Sequence, residues 1–206
     1  MFKKMFTRFS KVVAAGLVLS FMFLVPGAEA SHWGLSGGLQ THDPTIVRES
    51  GNTWWSASTG TGIGMKYSTN GGKTWTDGLP IFSRPLSWWK KYAPNMTTND
   101  VWAPDLEYYR GRYYCYYSVS EFGKNNSAIG LVSCSSISKG DWRDDGVVLY
   151  SRYGSSKFNA IDPNLVVDAK GKPWLVYGSW FDGIHVVRLN QSTMKPTGSS
   201  TKIAYR

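Results

Sequence analysis

Phe158-Asn159-Ala160-Ile161-Asp162-Pro163-Asn164-Leu165-Val166-Val167 decides how this chain is read, because it has two relatives in the same sequence. Thr41-His42-Asp43-Pro44-Thr45-Ile46-Val47 and Trp102-Ala103-Pro104-Asp105-Leu106-Glu107-Tyr108 each set an aspartate at the head of a strand-like run. A glycine follows each at a similar offset: Gly51, Gly111 and Gly171. Beyond each glycine lies an aromatic-rich strand, Trp54-Trp55-Ser56-Ala57-Ser58, Tyr113-Tyr114-Cys115-Tyr116-Tyr117-Ser118 and Trp174-Leu175-Val176-Tyr177-Gly178-Ser179. An apolar run, a glycine and a second apolar run spell a hairpin, here written three times.

Asp43, Asp105 and Asp162 are 62 and 57 residues apart. That period exceeds most solenoid repeats and suits the four-stranded blade of a β-propeller. The expected blades span about 41–85, 100–150 and 158–206, taking one turn of the repeat for each. Equivalent positions in blades converge on one axis, so the three leading aspartates are expected to face one cavity. A propeller needs at least four blades to close its ring, and the sequence holds about three, so it reads as a truncated one.

The first thirty of the 206 residues read as a secretory signal: Lys3, Lys4, Arg8 and Lys11, an apolar stretch over 12–25, then Ala28-Glu29-Ala30. The apolar stretch is short for a membrane span, so the expected product is secreted and extracellular, with its incomplete propeller domain over 31–206. The chain carries 23 Lys and Arg against 14 acids. Four of those bases and one acid fall in the signal, leaving +6. A basic surface suits an acidic polysaccharide matrix and equally serves plain solubility. The basic residues are scattered without a run of five, which argues against nucleic acid. Cys115 and Cys134 fall in strands expected to be neighbours, open between a disulfide and two buried thiols.

The rest of the chain alternates short β-type runs with Gly/Asn/Asp/Ser turns, and no amphipathic helix stands out after the signal. Ser68-Thr69-Asn70-Gly71-Gly72-Lys73-Thr74-Trp75 resembles the Asp-box hairpin of propellers, with Asn70 in the aspartate's place. Its chemistry is structural: the Asn side chain holds the turn and the glycines take positive φ. Residues 84–99, with Trp88, Trp89 and Tyr92, look like an inserted loop. Trp54, Trp75, Trp142 and Trp174 are expected to pack in the core.

Carboxylates converging on one cavity suit glycoside hydrolysis, in which an acid and a base flank the scissile bond. A single Asp-Pro would only start a strand with a turn; the repetition is what points to chemistry. The stretches THDPTIV, VWAPDLEYYRGRYYCYYSVSEFGKNNSAIGLVS and FNAIDPNLVVDAKGKPWLVYGSWFDGI resemble the family 43 glycoside hydrolases, specifically the endo-1,5-α-L-arabinanases, from about Gly34 onward.

That resemblance implies an all-β, five-bladed propeller that cleaves arabinan, the pectin side chain, with inversion. By motif position it makes Asp43 the general base, while Asp162 raises the pKa of the general acid and holds it in place. The acid is a glutamate opening the fourth blade, which the sequence does not reach; Glu49, Glu107 and Glu121 do not match it. The family's calcium or similar ion lies near a fifth-blade histidine, and His42 is not its counterpart. The resemblance further suggests a sugar groove of His42, Trp102, Asp105, Phe122, Asn159 and Trp180. Aromatic faces stack on the C–H faces of sugars while short polar groups fix hydroxyls. These 206 residues alone are therefore expected to be inactive, without a membrane anchor once the signal is removed, and prone to self-association through open blade edges. The alternatives are a non-catalytic carbohydrate-binding propeller fragment, two fragments complementing each other, and a sialidase-type enzyme. The last wants an arginine cluster and a Tyr–Glu pair that are not visible.

Overall fold

The computed structural model describes residues 34–205, so the expected signal over 1–30 lies outside the described residues. In chain order the strands are β1 (Ser36–Gly37), β2 (Thr45–Ser50), β3 (Thr53–Ser58), β4 (Gly60–Thr61), β5 (Gly64–Ser68) and β6 (Thr74–Asp77). After a helical turn, α1 (Trp89–Tyr92), come β7 (Asp100–Tyr109), β8 (Arg112–Ser120), β9 (Ser127–Cys134) and β10 (Arg143–Ser151). The last group is β11 (Asn164–Val167), β12 (Pro173–Ser179), β13 (Gly183–Arg188) and β14 (Thr201–Ala204). The fold is all-β, as expected, apart from that one turn of helix.

Three sheets result, ordered β1-β6-β5-β3-β2, β10-β9-β8-β7-β4 and β11-β12-β13-β14. Each is an antiparallel meander, with β1 added in parallel to β6 and β4 paired to the start of β7. The first strands β2, β7 and β11 lie beside one another, β7 touching both of the others. Gly51, Gly111 and Gly171 occupy the first hairpin turns at φ of 49°, 88° and 70°, left-handed conformations that favour glycine.

The aromatic run in β8 has a direct packing cause. Successive side chains on a strand point to opposite faces, and here both faces are covered. Tyr113, Cys115, Tyr117 and Val119 enter the core against the first sheet, with Val47, Ala57 and Met65. Tyr114 and Tyr116 enter the core against the third sheet, with Leu165, Leu175 and Tyr177. The middle sheet is thus sandwiched, whereas Ile46 on the first and Val166 and Ile203 on the third are exposed.

Loop 84–99 is anchored rather than free. Trp89, 1% exposed, meets Phe82 edge-on at 5.1 Å and donates its indole N–H to Tyr117 Oη at 3.3 Å. Trp54, Trp75, Trp142 and Trp174, expected in the core, are only half-buried. In the Asp-box-like turn Asn70 Oδ1 accepts Thr74 N–H at 2.9 Å, between Ser68 and two left-handed glycines. Cys115 and Cys134 are free and buried. Cys115 stands opposite Val132 and Cys134 opposite Tyr113, a diagonal rather than a facing pair.

Candidate active site

Each first strand carries near its start a residue that precedes proline and adopts a left-handed backbone: Asp43 (φ 47°) just before β2, Ala103 (φ 42°) at an irregularity within β7, and Asp162 (φ 54°) just before β11. Non-glycine residues in that region carry strain of about 1–3 kcal/mol each, so its recurrence at one place in the repeat demands a cause. Part of the cause is a pair of hydroxyls. Thr59 Oγ1, just past β3, accepts Ala103 N–H at 2.7 Å, and Ser118 Oγ, on β8, accepts Asp162 N–H at 3.1 Å. In both cases the second strand of one sheet fixes the leading peptide of the next.

This geometry corrects the expected equivalence of three aspartates. The residue matching Asp43 and Asp162 is Ala103, and Asp105 stands two positions further on, where Thr45 and Asn164 stand in the other sheets. Asp105 is 7% exposed, and its carboxylate accepts Leu165 N–H at 2.6 Å and Asn164 Nδ2–H at 3.2 Å. Thr45 Oγ1 does the same for Leu106 N–H at 3.2 Å. Burial pushes the Asp105 carboxyl above its ordinary pKa in spite of the two bonds that favour its anion. It ties β7 to β11.

The two remaining aspartates, Asp43 and Asp162, both keep solvent-exposed surface. Asp43 Oδ2 accepts the Thr59 hydroxyl at 2.7 Å, and His42 Nδ1 lies 3.5 Å from the same oxygen. Asp162 retains solvent-exposed surface, yet it sits among enough protein atoms for burial to raise its pKa, and the charge of Asp43 raises it further.

The expected sugar contacts divide into two groups. Trp102 and Phe122 line one cavity of about 540 Å3 with Asp100, Glu121, Lys124 and the 95–98 segment. Phe122, at the tip of the β8–β9 turn, is 95% exposed. Trp180, 79% exposed, stacks on Phe181 at 4.3 Å in the β12–β13 turn. That turn is held to the Asp162 end of the sheet, since Gly178 N–H donates to Ile161 O at 2.9 Å. His42 is exposed beside Asp43. Asn159, by contrast, is 4% exposed and accepts Ser127 Oγ–H at 2.7 Å. Like Asp105, it is committed to the packing between sheets.

Two of the described glutamates are tied up in hydrogen bonds, and the third stands apart from the strand entrances. Glu49 accepts bonds from Ser136, Ser138 and Trp55. Burial alone would raise its pKa, but these bonds hold it below the usual value. Glu121 is likewise lowered against its burial by Asn95 and Asn126. Glu107 is raised by burial and by the charge of Asp105. It stands four residues past Ala103, about 13 Å along the strand at ~3.3 Å per residue. No three His, Cys, Asp or Glu side chains cluster among the described residues. No described helix is long and apolar enough to cross a membrane.

Residues 38–206 match the sequence model of glycosyl hydrolases family 43. The chain belongs to that family. This family 43 chain is 48% identical over 212 residues to the extracellular endo-alpha-(1->5)-L-arabinanase 1 of Bacillus subtilis (strain 168), across 99% of the chain and 63% of the relative. Among solved structures it resembles the GH43 endo-arabinanase from Bacillus licheniformis, with a TM-score of 0.80 and 51% identity over 85% of this chain and 60% of that one. The Cellvibrio cellulosa alpha-L-arabinanase complexed with arabinohexaose gives a TM-score of 0.74 at 33% identity, over 80% and 53%. The family 43 chain therefore spans less than two-thirds of the length of these relatives.

Proposed function

We propose that this chain supplies the base side of an inverting arabinan hydrolase acting on α-1,5-L-arabinofuranosidic bonds. The observation that carries the reading is the pairing of Asp43 and Asp162. Both head first strands from a left-handed pre-proline position, and Asp162 feels the charge of Asp43. The arabinanase relatives supply the substrate class.

In this scheme Asp43 takes a proton from water as the water oxygen attacks the anomeric carbon, while a general acid protonates the departing sugar oxygen. An inverting pair stands about 6.5–9.5 Å apart, leaving room for that water. Asp162, held anionic beside the acid, favours its protonated form. His42, Trp102, Phe122 and Trp180 would hold arabinofuranose units along the exposed end of the sheets. The acid, a glutamate at the head of a fourth blade, and the calcium site of a five-bladed ring would come from residues outside 1–206. A secretory signal over 1–30 would place the protein outside the cell.

The 206 residues by themselves would turn over slowly or not at all, because a positioned acid contributes about 10²–10⁴ in rate. They would associate through the exposed faces that carry Ile46 on one side and Val166 and Ile203 on the other. Release of arabino-oligosaccharides from debranched arabinan is the test. Ordinary turnover by residues 1–206 rejects the need for an outside acid. If a polypeptide carrying the additional blades is active and Asp43→Asn leaves its rate within tenfold, the proposed base is rejected.

A further inference from the structure

A cavity of about 600 Å3 lies between the first sheet and the β9–β10 connection, away from both aspartates. Tyr67 pairs with Trp55 on β3 and with Thr76 on β6, which puts these rings mid-sheet toward the outer strands. Trp142, immediately before β10, closes the opposite wall. A second hollow of about 230 Å3, with Arg84 and Asp144, shares Ile81 and Trp142 with the first. Trp142 and Ile81 thus border both hollows, and Leu79, 89% exposed, lines the larger one.

We propose that this cleft is a second saccharide site, binding a stretch of the neutral polysaccharide whose hydrolysis is proposed above, and the inference rests on that reading. Trp55, Tyr67 and Trp142 offer three rings, the surfaces on which sugar C–H faces stack. Lys139 stands at the rim, and the carboxylates of Asp77, paired with Lys66, and Asp144, which accepts Trp88 Nε1–H at 3.1 Å, keep further acceptor positions for hydroxyls. Both signs of charge occur around the cleft, which favours a neutral polyol over an anion or a cation. Its volume lies within the range of about 300–1,000 Å3 usual for small-ligand sites. The floor is rigid, because Glu49 clamps Trp55 Nε1 to Ser136 and Ser138 of the facing connection. Such a site, remote from the cleaved bond, would keep the enzyme on its polymer between cuts.

The test is retardation of the full chain in native gels containing debranched arabinan. Trp142→Ala is expected to weaken retention about three- to tenfold, the loss of one stacked ring. Because Trp142 also packs against the core, a second variant, Leu79→Ser with Lys139→Ala at exposed rim positions, is expected to weaken it in the same direction. Trp102→Ala and Phe122→Ala, in the candidate active site, are expected to act independently of both. If the cleft variants run as the parent does while Phe122→Ala loses retention, the second site is overturned and the active-site reading stands. If the parent is not retarded by arabinan at all, both fall.

Discussion

Thr59 donates its hydroxyl to Asp43 Oδ2 at 2.7 Å and with the same oxygen accepts Ala103 N–H at 2.7 Å. A side chain of the first sheet thereby joins the candidate base to the leading peptide of the second sheet. Replacing it by the near-isosteric Thr59→Val leaves that peptide N–H without its acceptor. The expected loss is about 1 kcal/mol of unfolding free energy, whereas Thr59→Ser stays within a few tenths. Urea denaturation of the three proteins checks this, and equal midpoints for the valine and serine variants would refute the bridge.

Asp162 owes its raised pKa first to burial and second to Asp43. Asp43→Asn is therefore expected to lower the Asp162 titration midpoint without returning it fully to the ordinary aspartate value, as read by carboxyl carbon NMR. The sign for stability follows. The folded state holds this proton to higher pH than the unfolded chain does, so Asp162 costs stability progressively as pH rises from the ordinary aspartate range through the raised value. Asp162→Asn removes that cost and is expected to raise the melting temperature at neutral pH but not at pH 3.

Asp105 is a tie between inner strands, and its loss should be felt in stability. Asp105→Ala leaves Leu165 N–H buried without an acceptor, at a cost of about 1–3 kcal/mol. Asp105→Asn keeps an acceptor for Leu165 and is expected to cost less. Chemical denaturation distinguishes the two; equal losses would mean that the carboxylate charge, not the acceptor, matters.

Burial raises the Cys115 thiol well above its usual value and pushes Cys134 up to about 12, where Asp141 and Glu49 add to the effect. Thiolate is the reactive form. Neither cysteine should react with a disulfide reagent at pH 8 while the protein is folded, and both should react on denaturation. Fast labelling of one thiol in the native protein would contradict this.

Much of the fold was legible in the sequence because its signals are local. The turn glycines, the aromatic second strands and the Asn70 turn each follow from residues within one hairpin. The site was legible only in part, since its equivalences depend on neighbouring sheets. Asp105 resembled Asp43 and Asp162 as a residue type, but the proline is the better marker. Asp43 and Ala103 stand eight residues before Gly51 and Gly111, and Asp162 stands nine before Gly171. Thr59 and Ser118 carried no local sign of their role, because their partners lie 44 residues further on in each case. Asn159 looked like a groove residue because it neighbours Asp162, yet its side chain points to Ser127.

The two candidate catalytic aspartates are held differently: Asp43 is oriented within its own sheet by Thr59, which also pins the leading peptide of the second sheet, whereas the Asp162 peptide is pinned by Ser118 from the sheet before. Alignment of the two carboxylates thus depends on how the sheets dock. A substitution that loosens the seams between them, far from any sugar, should blur the reaction geometry before it unfolds the chain.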